Sequence, residues 1–220
     1  MWDSGVVLAK FLEHAVDSGL LLLQAKKVVE LGSGCGLVGC VAALLGSQVF
    51  LTDLPDRLKL LKKNVEANLT HANVRGSATV TELVWGDDFD QELIELQPDY
   101  DLFGEYTCTP GLSSKPFATN NQFIENYFQI SIVSVLGSDV IYSEEAVADL
   151  VDTLLQLCGP KTTVFLAGEL RNVLLPAADA ILEYFLEVAM KNFVVGRVDQ
   201  TQWHPDYCSS RVVVYVLVKK

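Results

Sequence analysis

The stretch that most constrains this chain runs from Lys27 to Asp53, KVVELGSGCGLVGCVAALLGSQVFLTD. A short apolar run carrying one acid, Glu30, meets glycines at 32, 34, 36 and 39. An apolar, helix-compatible segment follows from Leu37 to Leu45 and ends at Gly46. A second apolar run, Val49 to Leu51, stops at Asp53. Strand, glycine turn, helix, strand and acid make half of a nucleotide-binding α/β fold. Glycines let the backbone pass close to a ligand where a Cβ would collide. The helix N-terminus offers free N–H groups beneath it. Asp53, at the end of the second strand, can accept hydrogen bonds from both hydroxyls of a ribose. An adenosine-type cofactor is the expectation, set against an α/β turn that binds none.

The glycine spacing allows two cofactors. Gly34, Gly36 and Gly39 satisfy the dinucleotide pattern G-x-G-x-x-G, whereas Gly32, Gly34 and Gly36 form G-x-G-x-G behind Glu30-Leu31. A dinucleotide needs its first glycine at the strand end, so that the pyrophosphate rests on the helix. The strand ends near Leu31 and the first glycine is Gly32, which favours the second register. That register resembles motif I of seven-strand S-adenosylmethionine-dependent methyltransferases. Their ligand has no pyrophosphate; its methionine part crosses the glycine loop, and an acid such as Glu30 can help to hold the cationic amino group.

At 220 residues, half of them hydrophobic, the chain suits one α/β domain with a sizeable core. Its net charge of −12 and its lack of a basic cluster argue against nucleic acid as partner. Acidity suits a basic protein surface, or reflects solubility alone. The five cysteines, at 35, 40, 108, 158 and 208, form no C-x-x-C pair and read as free thiols of a reducing, cytoplasmic or nuclear, compartment rather than a zinc site. The apolar run Gly19 to Leu23 is too short to span a membrane, and no signal peptide is evident.

Along the chain, the periodicity predicts a helix ending near Val16, strands at 27–31 and 48–52, and a helix from Pro55 to Leu69. A third strand is expected at 78–85, a short helix at 89–96 and the start of a strand at 98–102. Residues 103–126 show no periodicity, and a fourth strand is placed at 129–138. A helix capped by Ser143 should reach Leu157, followed by a strand at 162–167, a helix over 175–192, and strands at 193–198 and 211–218. This describes one doubly wound α/β domain, a mostly parallel seven-strand sheet with an antiparallel last strand.

Taken together, Trp2-Asp3-Ser4-Gly5, Glu30 to Gly36, Thr52-Asp53-Leu54, Trp85-Gly86, Ser138-Asp139-Val140-Ile141-Tyr142 and Gly168-Glu169-Leu170-Arg171 resemble the protein-lysine methyltransferases of the methyltransferase-like 21 kind. The resemblance implies a Rossmann-like methyltransferase fold, S-adenosyl-L-methionine as cofactor, and a protein substrate bearing the target lysine, acted on by a monomer. Trp2 would border the cofactor, with Gly32, Ser33 and Gly34 as its loop and Asp53 on the ribose. Trp85 would lie by the adenine, and Ser138 would line the pocket through its backbone. Asp139 and Tyr142 would stand where the lysine enters, Asp139 orienting the amine. Two departures from the family pattern are noted. The usual segment before the Trp-Asp motif is missing, as from an N-terminally truncated chain. An irregular insert of 33 residues, Phe103 to Val135, separates Asp-Tyr-Asp-Leu from Leu-Gly-Ser-Asp. Its composition resembles translated non-coding sequence, and transcript sequencing would test that expectation.

Each site residue also has a plainer reading. Asp139 can cap a turn, Tyr142 and Trp85 can be packing aromatics, and Glu169 with Arg171 can be either a substrate lip or an exposed charge pair. Three functions follow: protein-lysine methylation, methylation of a small molecule or other side chain, and a non-catalytic interaction protein.

Overall fold

The structure is a computed structural model, and it describes residues 3–70, 74–88, 133–170 and 176–220. The expected short helix at 89–96, the strand start at 98–102, most of the insert, Trp2 and Arg171 lie outside the described residues.

The described elements, in chain order, are α1 (Asp3–Asp17), β1 (Lys27–Leu31), α2 (Leu37–Leu44), β2 (Gln48–Asp53), α3 (Leu58–Leu69), β3 (Ser77–Glu82), β4 (Val133–Ser138), α4 (Glu144–Leu157), β5 (Thr162–Glu169), α5 (Pro176–Ala189), β6 (Phe193–Arg197) and β7 (Val212–Lys219). Seven strands form one sheet in the order β3-β2-β1-β4-β5-β7-β6. All neighbouring pairs from β3 to β5 are parallel; β7 runs antiparallel to both β5 and β6. The expected mostly parallel sheet with an antiparallel last strand is therefore present.

Alternating side chains send the strands' apolar residues into two cores. Val28, Val49, Leu51, Leu136, Phe165 and Val214 pack beneath α1, α2 and α3, while Val29, Val135, Val164, Leu166 and Leu217 pack against α4 and α5. Burial on both faces explains why these strands read as continuous apolar runs. Helix α1 lies over β5, with the Phe11 and Phe165 rings 5.7 Å apart.

Several boundaries differ from the sequence reading. Helix α3 begins at Leu58, because residues 55–57 form a turn in which Arg57 N–H donates to the Leu54 carbonyl. Strand β3 stops at Glu82: its partner β2 ends at Asp53, and the Asp53 carbonyl accepts the Leu83 N–H as the chain leaves the sheet. Strand β5 continues to Glu169, because β7 supplies Val212 and Val213 as partners beyond the end of β4. In β4, Val133, Ser134 and Val135 pair with Lys27–Val29 of β1 and Thr162–Val164 of β5. The last residues of the expected insert thus belong to the central strand. Ser143 caps α4 as expected, its Oγ accepting from Ala146 N–H at 3.3 Å. No helix among the described residues is long and apolar enough to cross a membrane.

Candidate active site

Strand order reverses between β1 and β4, and ligands of open α/β sheets bind outside the carboxyl ends of the strands at such a point. The register brings Leu31, Asp53, Ser138 and Glu169, the last residues of four strands, to that edge.

The glycine loop between β1 and α2 is held by an interlocking set of hydrogen bonds. Ser33 N–H donates to the Thr52 carbonyl at 2.9 Å, and Thr52 Oγ1 donates to the Glu30 carbonyl at 2.7 Å. Gly36 N–H closes the turn on the Ser33 carbonyl at 2.7 Å, and Ser33 Oγ reaches the Glu30 carbonyl at 3.4 Å. Gly32 has a φ of +60°, and a Cβ there would lie 3.1 Å from Val140 Cγ1 and 3.5 Å from the Trp85 ring. Both the left-handed backbone and the close approach require glycine.

Glu30 stands beneath this loop, only 1 % exposed. Its Oε2 accepts the Gly39 N–H of α2 at 3.1 Å. A Cβ at Gly39 would lie 2.5 Å from that oxygen, so glycine is what lets α2 close over the acid. Burial pushes the Glu30 carboxyl up to about 8, against the lowering effect of the Ser33 and Gly39 hydrogen bonds. Asp53 stands at the loop's open side. Its Oδ2 accepts Gly34 N–H at 2.6 Å and its Oδ1 accepts Leu54 N–H at 2.8 Å. Each oxygen retains acceptor capacity for a further donor.

Trp85 joins the two halves of the site. Its edge covers Gly32, and its ring centroid lies 6.1 Å from that of Tyr142. Gly86 N–H donates to Thr153 Oγ1 at 3.0 Å, anchoring this segment to α4. Ser138 ends β4, and a Cβ on Gly5 would lie 3.3 Å from its Oγ, so the first turn of α1 sits directly against the strand end.

Asp139 follows with a φ of +58°, an uncommon left-handed conformation for a residue with a Cβ. Its N–H donates to the Ala167 carbonyl at 2.8 Å, which holds the turn against β5. Asp139 and Tyr142 line a groove whose walls include Glu169, Ile181, Val213 and Tyr215. Tyr142 is 52 % exposed. The structure thus brings together Glu30, Gly32, Ser33, Gly34, Asp53, Trp85, Ser138, Asp139 and Tyr142 at one sheet edge, with Asp53 and Asp139 on opposite sides of the glycine loop. Sequence reasoning gave no site role to Ile181 and Tyr215, and quoted Thr52 only within Thr52-Asp53-Leu54. Thr52 had a signal, a hydroxyl beside the strand-end acid; Ile181 and Tyr215 sit in ordinary apolar patterns that carry none.

Other candidates resolve simply. Cys35, Cys40, Cys158 and Cys208 are free thiols; Cys108 lies outside the described residues. Burial raises Cys40 to about 11 and Cys158 to about 12, as inert thiols. His204 packs edge-on against His14 and Tyr207, and its Nδ1 accepts Asp206 N–H at 3.2 Å. No cluster able to hold a metal occurs among the described residues.

The fold and the glycine loop define the class, a Rossmann-like methyltransferase fold. The crystal structure of magnesium protoporphyrin IX methyltransferase from Synechocystis PCC 6803 with bound SAH superposes with a TM-score of 0.55. It is 14% identical and covers 99% of this chain and 84% of its own. The family model described as lysine methyltransferase matches residues 1–106 and 118–191, and the chain belongs to that family. Protein N-lysine methyltransferase METTL21A of Mus musculus is 37% identical over 171 residues, 78% of this chain and 60% of that protein. EEF1A lysine methyltransferase 3 of Xenopus tropicalis is 33% identical over 172 residues, 78% of this chain and 58% of that protein. The chain therefore spans less than two thirds of the length of these curated relatives.

Proposed function

We propose that this protein transfers a methyl group from S-adenosyl-L-methionine to a lysine side chain of a protein substrate. The observation that carries the reading is the pairing, across one glycine loop, of a ribose-competent acid, Asp53, with an acid-and-tyrosine groove, Asp139 and Tyr142. Membership of the lysine methyltransferase family supports it.

The residues present fit the cofactor. Nothing lies within 4 Å of the Cβ position at Gly34, which leaves open space beside Asp53, and Gly32 lets the loop approach Trp85 closely. Gly32, Ser33 and Gly34 would carry the amino-acid end, Asp53 the ribose, and Trp85 the face toward the base. Ser138 would border the pocket through its backbone, and Trp2 is proposed to border it too. Glu30, expected to help hold the amino group, lies beneath the loop at 1 % exposure with its Oε2 on the Gly39 N–H, so its role toward the cofactor is proposed to pass through the loop that it fixes to α2. When bound, the cofactor supplies an electrophilic methyl group on a sulfonium sulfur.

The acceptor amine must be neutral and in line at the moment of transfer, and orientation supplies most of the effect. A lysine amine has a reference pKa of about 10.4. The apolar and aromatic groove walls desolvate it, which favours its neutral form against the pull of the groove's carboxylates toward the ammonium. Asp139 accepts a hydrogen bond from it and sets its direction; the Tyr142 ring covers its stem. The protein is proposed to act as a monomer in the cytoplasm, or also the nucleus, on protein rather than nucleic acid or membrane. Net charge and the free thiols support that reading.

Calorimetry with S-adenosylmethionine, followed by transfer of tritiated methyl to lysate protein, tests the proposal. Binding and acid-stable label on lysine are expected, with label lost in Asp139→Asn. Label on a small molecule would favour the alternative acceptor class. Cofactor binding without any label would favour a non-catalytic interaction protein, and no binding would overturn both.

A further inference from the structure

The groove contains a second carboxylate that the reading above does not use. Glu169 is the last residue of β5, half-buried, and lines the groove together with Asp139, Tyr142, Ile181 and Tyr215. Its Oε1 accepts the backbone N–H of Asp3, at the start of α1, at 3.2 Å. Its Oε2 makes no hydrogen bond among the described residues. The tether matters physically. A glutamate has several rotatable bonds, and one oxygen held by a backbone amide fixes the direction of the other before any ligand arrives.

We propose that Glu169 is a specificity-determining residue for the acceptor, whose Oε2 takes a hydrogen bond from the lysine nitrogen while Asp139, lining the same groove, takes another. This rests on the lysine reading of the same groove. A neutral amine has two N–H donors and one lone pair. Two carboxylates occupy the donors and leave the lone pair to face the methyl group. The lysine arrives as an ammonium with three donors, and charge-assisted bonds to two acids select it over an apolar side chain of the same length; its third proton passes to solvent at the open groove before the lone pair attacks. The walls, Ile181 and the Tyr142 and Tyr215 rings, suit the four-carbon stem. Glu169 also belongs to β5 beyond the end of β4, where only β7 pairs with it, so the extra strand length is what carries this acid to the site.

The test uses the full chain loaded with S-adenosylhomocysteine. Two peptides, acetyl-Gly-Lys-Gly-amide and its isostere with 2-aminoheptanoic acid in place of lysine, are titrated in turn and followed by amide NMR shifts. The wild type should prefer the lysine peptide by about tenfold, and Glu169→Gln should lose most of that preference, as expected for one charge-assisted hydrogen bond. S-adenosylhomocysteine affinity should be unchanged in Glu169→Gln, because the glutamine oxygen still accepts the Asp3 N–H. Glu169→Ala, read the same way, should lose the preference equally. The proposal is overturned if Glu169→Gln binds the lysine peptide as tightly as wild type, if wild type binds both peptides equally, or if it binds neither. Failure of S-adenosylhomocysteine to bind would overturn the functional reading instead, and the peptide comparison then runs without it.

Discussion

The two sides of the glycine loop are built differently. On the β1–β2 side nearly every polar group meets another part of the same chain. Thr52, Ser33, Glu30, Gly39, Gly34 and Asp53 form one linked set within β1, β2, the glycine turn and the first turn of α2. On the β4–β5 side, Asp139 has a left-handed backbone, Tyr142 is largely exposed, and Glu169 has one committed oxygen. A small invariant ligand can be met by a preorganised cradle, whereas a protein acceptor supplies much of its own shape and needs an open groove. The difference separates where stability resides from where selection occurs.

The largest test of that contrast is the acid beneath the loop. The folded pKa of Glu30, about 8, lies above its ordinary value of 4.5, so the folded protein holds a proton that the unfolded chain has released. Glu30 therefore favours folding most below pH 4.5. Its contribution falls as pH rises through the window to about 8 and is flat above it. Each unit of that gap is worth about 1.4 kcal/mol. Urea unfolding across this window should show the decline, and Glu30→Gln should flatten it; an unchanged slope would remove Glu30 from the account.

Next in size, Gly39→Ala places a Cβ 2.5 Å from Glu30 Oε2 and 2.6 Å from Leu51 Cδ2, both in the core. Overpacking there should lower unfolding free energy by about 2 kcal/mol in the same assay. Asp53→Ala should act mainly on the ligand, weakening S-adenosylhomocysteine binding by about tenfold in calorimetry through loss of charge-assisted hydrogen bonds. Equal affinity would place the ribose elsewhere. The smallest effect belongs to the open side: Tyr142→Ala should change unfolding free energy by no more than about 0.5 kcal/mol, as for other exposed positions, while lowering methyl transfer. A large loss of stability would mean that the acceptor side is as closed as the cofactor side.

Local pattern carried much of this molecule. The glycine register behind Glu30 fits the loop that the structure displays, Ser143 caps α4, and β1 and β2 stand within one residue of their expected bounds. Where β3 and β5 end was not legible, because a strand lasts only as long as its neighbour does. Glu169 illustrates the consequence: the sequence leaves it between a substrate lip and an exposed charge, since its partner is a backbone amide 166 positions earlier.

The sequence by itself determined the α/β alternation, the glycine loop with its two acids, and the order of site residues along the chain. These depend on periodicity and on backbone needs within a few residues. Only the tertiary structure decided that β7 inserts between β5 and β6 and that β4 lies against β1. It also decided that Glu30 is sealed under the loop while Asp53 stays at its open side. Those outcomes depend on which distant segments share a face, and burial and pairing are properties of the packed sheet rather than of any one stretch.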